Sequence, residues 1–425
     1  MTVPAETADL IQGDRVELTV GAPAHGGHCV ARIGGPHGRV VFVRHALPGE
    51  RVTAEITELH RGYLRADAVE IHEASPDRVE PPCPHARPGA CGGCDLQHVA
   101  GDAQLRWKGS VVREQLERMA GLFLDVRVEA LPPASGDTLL GWRSRIRYAV
   151  DAAGRPGLLQ HRSHQVVPID RCRIAHPAIQ ELDLLTHEWP DADAVQAVAT
   201  TGGDVAVLAR PAGSRAPESG DDLGEPMSGG LVRLSGPGEV VENAGGRAFH
   251  VPPEGFWQVH PAAAETLTDA VLEMLRPAPG EASWDLYGGA GLFAAALAER
   301  TGARTTVVES SPLGVAAARR NLADLPHVEV VAAKVDVALS RRRIAGPVDL
   351  VVLDPPRAGA GARVVRAVAA ARPRAIAYVA CDPAALARDI KTFASVGWRA
   401  DRIRAFDCFP MTQHVECVAL LLPED

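Results

Sequence analysis

Apolar and polar residues alternate along the chain between residues 13 and 71. Four short segments place apolar residues at every second position, and turns rich in Gly and Pro, such as GGPHG and LPGE, separate the first of them. An alternation of this kind is typical of strands with one buried face. Several short strands at this spacing predict a small antiparallel barrel.

The periodicity changes after the barrel. Residues 102–120 predict an amphipathic helix, because apolar residues recur there at helical spacing. These residues are Leu105, Val112, Leu116 and Met119. From about residue 139 to residue 255 the pattern is mostly that of strands, with WRSRIRYAV and VVPIDRCRI the clearest. Residues 210–230 are rich in Pro, Gly, Ser and acidic residues, which predicts an exposed loop.

The last third of the chain has a different rhythm. Five strand-like segments (SWDLYG, TTVVES, VEVVAA, VDLVVLD and AIAYVAC) alternate with helical segments rich in Ala and Arg. This order predicts a parallel sheet with helices on both faces. Two further segments, RADRIRAFDCF and HVECVALLL, predict an antiparallel pair that closes the sheet.

Composition limits the class of protein. A chain of 425 residues has room for two or three domains, and 46% hydrophobic with 23% charged residues is ordinary for a globular protein. The first residues, MTVPAETADL, lack the features of a signal peptide, and no apolar run approaches the length of a membrane span. We therefore expect a cytoplasmic protein without a membrane partner. In that compartment its eight cysteines are better explained by metal binding or catalysis than by disulfides.

The net formal charge of −9 argues against a uniformly basic nucleic-acid binder. Local basic patches remain possible. Arg143, Arg145 and Arg147 alternate along one predicted strand, with Arg162 a possible neighbour, and this set is a candidate track for phosphates. A solvated strand face explains each arginine equally well.

A glycine turn follows the first strand of the parallel sheet. In DLYGGAGLF, Gly289 and Gly291 allow a tight turn into a helix and a close approach to a ligand. Glu309 ends the second strand, where a carboxylate can bind ribose hydroxyls, although the same pattern also fits a dinucleotide site. Asp354 ends the fourth strand in DPPR, and the arginine after the two prolines disfavours the methylation of amino groups, which uses an aromatic residue there.

Cys381 ends the fifth strand in AYVACDP. Asp382 is a good N-cap and Pro383 a good first helical residue, so the thiol lies directly before a helix N-terminus. The partial positive charge of that terminus favours a thiolate. A nucleophile explains this position better than a buried filler does.

Four other cysteines form a candidate metal site. Cys83, Cys91 and Cys94 lie in a C-x7-C-x2-C pattern, and Cys172 follows in RCRI. Four thiolates can hold either a 4Fe–4S cluster or a structural zinc ion, and the spacing does not choose between them. We interpret the remaining thiols as structural: Cys29, Cys408 and Cys417.

Taken together, DLYGGAGLF, Glu309, DPPRAG, YVACDPAALARD and FPMTQHVE resemble the signature of the uracil-5 RNA methyltransferase family. The barrel resembles a TRAM domain, through Ala31-Arg32 and GRVVFVRHALPGERV. The resemblance implies an α/β Rossmann-like class I methyltransferase domain over 256–425, an OB-like RNA-binding TRAM barrel over 8–72, and a β-rich central iron–sulfur domain over 73–255. A helix at about 100–122 is expected to pack on the catalytic domain.

The resemblance also implies roles for individual residues. Cys381 would be the nucleophile, and Glu416 in HVECV the base that removes the proton from C5 of uracil. The expected contacts to S-adenosyl-L-methionine are Gln258, Tyr287, Gly289, Gly291, Glu309, Asp336 and Asp354. CGGCDLQH and RCRI resemble the iron–sulfur members of the family, which favours a 4Fe–4S cluster over zinc. The sequence departs from the usual family pattern at Ala380, Asp382, His260 and Leu292, but none of these changes removes a group that the chemistry needs.

The expected product is 5-methyluridine in RNA. A TRAM domain together with a cluster is more typical of members that modify 23S ribosomal RNA than of bacterial members that modify transfer RNA, which remain an alternative. A cytosine-5 methyltransferase is disfavoured, because DPPR offers no second cysteine. A non-catalytic RNA-binding assembly factor is a further alternative. We expect a monomer that binds RNA and not DNA.

Overall fold

The structure is a computed structural model that describes residues 10–134, 136–137, 139–214, 230–344 and 346–424. The N-terminal unit is a six-stranded sheet in the order β1-β5-β6-β4-β3-β2, antiparallel except for the pair β4 and β6. Hydrogen bonds from Gly21 N to Val30 O (2.7 Å) and from Val30 N to Ala22 O (2.9 Å) join the end of β1 to β3 and close the sheet. The strands are β1 Arg15–Thr19, β2 Pro23–Ala24, β3 His28–Ile33, β4 Arg39–Arg44, β5 Arg51–Leu59 and β6 Tyr63–Glu73.

Helix α1, Gly101–Gln115, lies between the barrel and the C-terminal sheet. It continues as a π-helical turn over Leu116–Ala120, so the helix predicted from the apolar period is present over nearly its full length. Trp107 and Val111 join the core of the barrel, whereas Val112 and Leu116 join the core of the C-terminal sheet. One helix therefore fixes two units to each other.

The central unit is an antiparallel six-stranded sheet in the order β10-β9-β8-β11-β12-β13. Of the predicted strand VVPIDRCRI, only Val166–Pro168 is a strand, and residues 215–229 of the predicted loop lie outside the described residues. A hairpin, β14 with β15, connects this unit to the C-terminal sheet. The elements are β8 Arg145–Val150, β9 Pro156–Leu159, β10 Val166–Pro168, α2 Pro177–Gln180, β11 Ala192–Ala199, β12 Val205–Pro211, β13 Val232–Ser235, β14 Val240–Ala244 and β15 Arg247–Val251.

The interpretation of Arg143 and Arg145 as a phosphate track is wrong, because both side chains are buried. Arg145 forms an ion pair with buried Glu242 (3.1 Å). It also donates hydrogen bonds to the carbonyl oxygens of Pro253 (3.2 Å) and Gly255 (3.0 Å). These contacts tie the central sheet to the hairpin and to the segment that enters the C-terminal domain.

The C-terminal sheet has the order β18-β17-β16-β19-β20-β22-β21-β7. Strands β16 to β20 are parallel, and β22 and β21 form the predicted antiparallel closure. The edge strand β7, Val128–Ala130, comes from the segment after α1 and was not predicted. The remaining strands are β16 Ser283–Leu286, β17 Thr305–Glu309, β18 Val328–Ala332, β19 Leu350–Leu353, β20 Ala375–Ala380, β21 Trp398–Asp407 and β22 Glu416–Pro423.

Six helices cover the two faces of this sheet, and both faces are apolar. Along β20, Ala377 and Val379 contribute to the core on one face, while Ile376 and Tyr378 contribute to the core on the other. Because strands β16 to β20 are parallel, their carboxyl ends lie at a single rim of the sheet. The helices are α3 Ala263–Leu275, α4 Leu292–Thr301, α5 Pro312–Asn321, α6 Val335–Ser340, α7 Gly361–Ala370 and α8 Pro383–Ala394. Among the described residues, no helix is both long and apolar enough to cross a membrane.

Candidate active site

A cavity of about 800 Å³ opens at the carboxyl ends of the parallel strands. Ligands in open α/β sheets bind at this edge. Eight of the nine residues predicted for catalysis or cofactor binding line it: Gln258, Tyr287, Gly289, Glu309, Asp336, Asp354, Cys381 and Glu416. The structure thus brings together residues that the sequence separates by more than 150 positions.

Gly291 does not line this cavity. It is the N-cap of α4 with a φ of 91°, and an added Cβ would lie 2.7 Å from Cδ1 of Leu322. Its lack of a side chain serves the turn and the packing of the helix. Two of the positions that depart from the family pattern, His260 and Leu292, are also outside the lining, and His260 stacks on Trp142 with ring centroids 6.1 Å apart.

Glu309 fixes the glycine turn to the end of β17. One carboxylate oxygen accepts a hydrogen bond from Gly289 N (2.9 Å), and the other accepts bonds from Ser310 N (2.6 Å) and Ser311 N (2.5 Å). Tyr287 precedes the turn with a φ of 67°, and its amide donates to Val308 O (2.9 Å). The backbone therefore holds this carboxylate rigidly at the edge of the cavity.

Cys381 lies between β20 and α8, as predicted, and its side chain is partly exposed. The next residue, Asp382, is the N-cap of α8 and accepts a hydrogen bond from Ala385 N (2.7 Å). Its other carboxylate oxygen lies 2.9 Å from Nε2 of His25, a residue of the barrel. The barrel therefore contacts the catalytic domain next to the candidate nucleophile.

The helix N-terminus does not give Cys381 a low pKa. Burial raises the pKa of its thiol far above the usual value, and the neighbouring carboxyls of Glu416 and Asp354 raise it further, against the opposing effect of Arg357. Burial and Asp354 likewise raise the pKa of Glu416 well above its ordinary range. The expectation of a thiolate from the helix N-terminus alone is therefore wrong, because desolvation and like charges outweigh the helix dipole.

The cavity wall is rich in acidic groups. Burial, followed by the charges of Asp285 and Glu309, raises the pKa of Asp354 to about 7. Asp285 behind the wall is fully buried, and burial raises its pKa to about 7 as well. Crowded buried carboxyls of this kind favour a positively charged ligand, since a cation stabilises their ionised form.

Sequence reasoning missed Asp285. Its Oδ2 accepts a hydrogen bond from Ala294 N (2.9 Å) in α4, and its Oδ1 has no hydrogen-bond partner within the described part of the chain. The signal was an acidic residue inside the apolar strand SWDL, directly before the glycine turn. A buried carboxylate at that point positions the first turn of α4 and adds negative charge behind the cavity.

The loop before Glu416 is held by α1, which sequence reasoning did not foresee. Lys108 is fully buried, and its Nζ lies 2.5 Å from Asp407 Oδ1 and 2.9 Å from the carbonyl oxygen of Phe409. One turn earlier, Gln104 accepts a hydrogen bond from Met411 N (2.8 Å). These two polar residues interrupt the apolar pattern of the helix, which was the available signal.

The cysteine-dense segment holds the same loop from the other side. The backbone amides of Asp95 and Leu96 donate to Met411 O (3.1 and 2.9 Å), and the Asp95 carboxylate accepts a hydrogen bond from Gln413 N (3.1 Å). Asp95 directly follows Cys94. The cysteine segment is therefore bonded to the loop that carries Glu416 into the cavity.

The four cysteines of the candidate metal site line one small cavity, and none of them is in a disulfide. Burial raises the pKa of Cys91 to about 12 and that of Cys94 well above its usual value, and neighbouring thiols contribute to both shifts. Among the described residues, no group of three or more His, Cys, Asp or Glu is arranged to hold a metal ion. The convergence of the thiols is thus observed, whereas the metal remains a prediction. The other thiols, Cys29, Cys408 and Cys417, are buried elsewhere.

Known proteins of similar sequence cover almost the whole chain. An uncharacterized RNA methyltransferase of Streptomyces avermitilis is 50% identical over 435 aligned residues, which cover 97% of this chain and 99% of the relative. An uncharacterized RNA methyltransferase of Streptomyces coelicolor is 49% identical over an alignment that covers 97% of this chain and 93% of the relative.

Two family models match parts of the chain. A TRAM domain matches residues 10–69, and tRNA (Uracil-5-)-methyltransferase matches residues 243–424. The chain belongs to the uracil-5 RNA methyltransferase family. The predicted membership of this family and the predicted TRAM domain are therefore confirmed.

Among solved structures, the tRNA (uracil-54, C5)-methyltransferase of Pyrococcus abyssi, in complex with S-adenosyl-L-homocysteine, has the same fold. The TM-score is 0.70 at 24% identity, and the match covers 95% of this chain and 100% of that protein. The predicted class I methyltransferase fold with an N-terminal TRAM domain is confirmed by this likeness and by the two family models.

Proposed function

We propose that this protein methylates C5 of a uridine in RNA, with Cys381 as the nucleophile and Glu416 as the base. The observation that carries the proposal is that Cys381, Glu416 and Asp354 line one cavity with the glycine turn. A thiol, a carboxyl and a ligand-binding turn at one rim are the groups that this reaction needs. The family to which the chain belongs supports the choice of uracil.

The chemistry explains the need for both residues. C5 of uracil is a poor carbon nucleophile, and addition of the Cys381 sulfur to C6 makes an enolate whose C5 can attack a methyl group. The Glu416 carboxylate then removes the proton from C5, the bond between sulfur and C6 breaks, and the thiolate leaves. The target base must leave its stack to reach a cavity of this kind.

S-adenosyl-L-methionine would supply the methyl group as a sulfonium. The residues that would hold it are Gln258, Tyr287, Glu309, Asp336 and Asp354. The acidic wall suits a ligand with positive charge, and the unpartnered oxygen of buried Asp285 adds to the negative field behind that wall. The same positive charge would lower the pKa of Cys381 and of Glu416, so that ligand binding would prepare both groups for their roles.

The test is methyl transfer to a uridine-bearing RNA fragment by the Cys381→Ala variant. We expect turnover to fall to background, while binding of RNA persists. Cys29→Ala is the matched control, because Cys29 is a buried thiol in the barrel and touches neither the cavity nor the rim. Unchanged turnover in Cys381→Ala would overturn the mechanism, and absence of transfer by the unaltered protein would instead support an RNA-binding assembly factor.

We also propose 23S ribosomal RNA as the substrate, because the chain combines a TRAM domain with the cysteine set of the iron–sulfur members. Transfer RNA is the second candidate, since the matching family model and the solved structure from Pyrococcus abyssi are both named for tRNA. Mass mapping of ribosomal and transfer RNA from cells with and without the protein distinguishes them. A 5-methyluridine lost only from transfer RNA would overturn the ribosomal assignment.

We further propose that Cys83, Cys91, Cys94 and Cys172 hold a 4Fe–4S cluster. The support is that all four unpaired thiols line the same cavity. The test is metal and sulfide analysis of protein purified without oxygen. We expect about four iron atoms and as much acid-labile sulfide per chain, as a cluster with four cysteine ligands requires. One zinc ion per chain and no sulfide would overturn the assignment.

A further inference from the structure

A second cavity, of about 270 Å³, lies away from the candidate active site. The barrel, the cysteine segment and the turn after β9 form its walls. We call it the basic cavity, and its charged and imidazole-bearing walls include His28, Arg44, Arg65, Arg87, His161 and Arg162. It shares no lining residue with the cavity that contains Cys381.

Positive charge exceeds negative charge in this cavity. Four arginines line it, against the carboxylates of Glu58 and Asp67 in the lining and that of Asp95, which pairs with Arg44 at 3.3 Å. Glu58 is shared between Arg65 (3.5 Å) and Arg162 (3.8 Å). Arg87 is exposed and forms no ion pair with any described residue. The carboxylates of the protein therefore do not neutralise all of the positive charge of these arginines.

Two buried arginine donors have no hydrogen-bond partner in the described part of the chain: Nε of Arg44 and Nε of Arg65. Arg44 as a whole is only 6% exposed. An arginine Nε–H can only donate; Nε of Arg65 lies 3.5 Å from Oε2 of Glu58, whereas Nε of Arg44 has no acceptor among the described residues. Both arginines line the cavity, so an oxyanion there would place negative charge next to their guanidinium groups.

The positive charge of the arginines adds to the effect of burial at the imidazoles of the cavity. Burial, followed by the charges of Arg65 and Arg44, lowers the pKa of His28 to about 2. Burial, Arg44 and Arg162 act on His161 in the same way and lower its pKa to about 3. A phosphate would offset the field of the arginines at both rings.

A group of aromatic rings next to the cavity favours RNA over a free anion. Tyr63 stacks on His60 with ring centroids 4.4 Å apart, and Phe42 meets the edge of Tyr63 at 5.4 Å. The guanidinium of Arg65 lies 5.6 Å from the Tyr63 ring, so a cavity arginine and this partly exposed group are adjacent. Arginines beside aromatic faces bind the backbone and bases of single-stranded nucleic acid.

We propose that the basic cavity binds a backbone phosphate of the RNA substrate, with Arg44 and Arg65 as its inner ligands and Arg87 and Arg162 at its mouth. This inference deepens the proposed function and rests on it. Arg44 also pairs with Asp95 (3.3 Å), whose carboxylate holds Gln413 N in the loop before Glu416. Arg44 and Asp95 would therefore connect a phosphate bound in the basic cavity to the loop before Glu416.

The experiment is equilibrium binding of a single-stranded, uridine-bearing RNA oligonucleotide at several salt concentrations. The main variant is Arg87→Gln with Arg162→Gln, because both side chains are exposed. We expect RNA binding to weaken about tenfold or more, since a hydrogen bond to a charged group has that effect on an equilibrium. The slope of log K against log salt should fall by about 0.7 for each lost phosphate contact.

A second variant, Arg65→Lys, keeps the charge and removes the planar guanidinium, and we expect it to weaken RNA binding as well. The matched control is Arg15→Gln with Arg106→Gln, two exposed arginines outside the cavity with side chains 51% and 62% exposed. Binding of S-adenosyl-L-homocysteine, measured on every variant, should not change.

The outcomes separate this inference from the proposed function. RNA affinity and salt slope equal to those of the control would overturn the inference, even if methyl transfer proceeds. Weakened RNA binding without any methyl transfer by the unaltered protein would support the cavity and refute the proposed reaction. Inorganic phosphate is the second probe. Phosphate binding that Arg65→Lys abolishes while RNA binding is retained would assign the cavity to a free anion and overturn the RNA assignment.

Discussion

The ion pair between Lys108 and Asp407 offers a quantitative test of how α1 holds the catalytic loop. Lys108 is fully buried, and the Asp407 side chain is only 3% exposed. The perturbation is Lys108→Met, which keeps most of the volume of the side chain and removes its charge. It leaves the Asp407 carboxylate and the Phe409 carbonyl oxygen without the ammonium group that both now contact.

The magnitude follows from the burial of the pair. Removing one partner of a buried ion pair costs about 3–5 kcal/mol, because the other charge stays buried and uncompensated. Replacing both partners with apolar residues costs far less, so Lys108→Met with Asp407→Leu should recover most of the loss. An exposed lysine provides the control. Lys391→Met should change the free energy of unfolding by no more than about 0.5 kcal/mol.

The assay is urea unfolding of the unaltered protein, Lys108→Met, the double variant and Lys391→Met, followed by tryptophan fluorescence. Methyl transfer by each protein is measured separately. We expect Lys108→Met to lower the free energy of unfolding by about 3 kcal/mol or more and to reduce turnover, since the loop of residues 408–415 loses its anchor. A loss below about 1 kcal/mol would refute this reasoning, and so would a double variant no more stable than the single one.

Three further predictions concern the cavity, the glycine turn and the thiols. Because Asp354 has a pKa of about 7, the protein holds a proton there below pH 7. A cationic ligand favours the ionised form, so affinity for S-adenosyl-L-methionine should rise as pH increases through 7, and Asp354→Asn should reduce that dependence in calorimetric titrations, leaving the contribution of Asp285, whose pKa is also about 7. Gly291→Ala should lower the free energy of unfolding by about 1–3 kcal/mol, because an added Cβ meets Leu322 at 2.7 Å in a left-handed conformation; urea unfolding measures this. Cys172→Ser should reduce the iron content measured by elemental analysis, whereas Cys29→Ser should leave it unchanged.

The C-terminal sheet could be predicted from the sequence because its signals are local. Each parallel strand is a short apolar run, and glycines, acids or an N-cap mark where it ends. Since parallel strands share one rim, their last residues could be expected to meet, and eight of nine predicted residues do line the cavity. Gly291 was the exception, because a turn glycine and a ligand-contacting glycine look alike in sequence.

Long-range polar contacts were beyond such reasoning. Arg145 looked like a surface residue on an alternating strand, yet its partner Glu242 lies almost 100 positions away. The bond between Lys108 and Asp407 spans 299 positions, and no local pattern specifies it. The pKa of Cys381 was misjudged for the same reason, because the burial of the thiol and then the nearby carboxyls of Glu416 and Asp354 arise from the fold and not from its neighbours in sequence.

The proposed mechanism requires that the Cys381 sulfur bonds to uracil and that Glu416 then removes the C5 proton. The most direct measurement is the intact mass, under denaturing conditions, of the Glu416→Gln variant after incubation with uridine-bearing RNA and S-adenosyl-L-methionine. We predict a covalent species with the mass of protein, RNA and one methyl group, which is absent when Cys381 is also replaced by Ala. Only free protein in the first sample, together with methylated RNA, would contradict it.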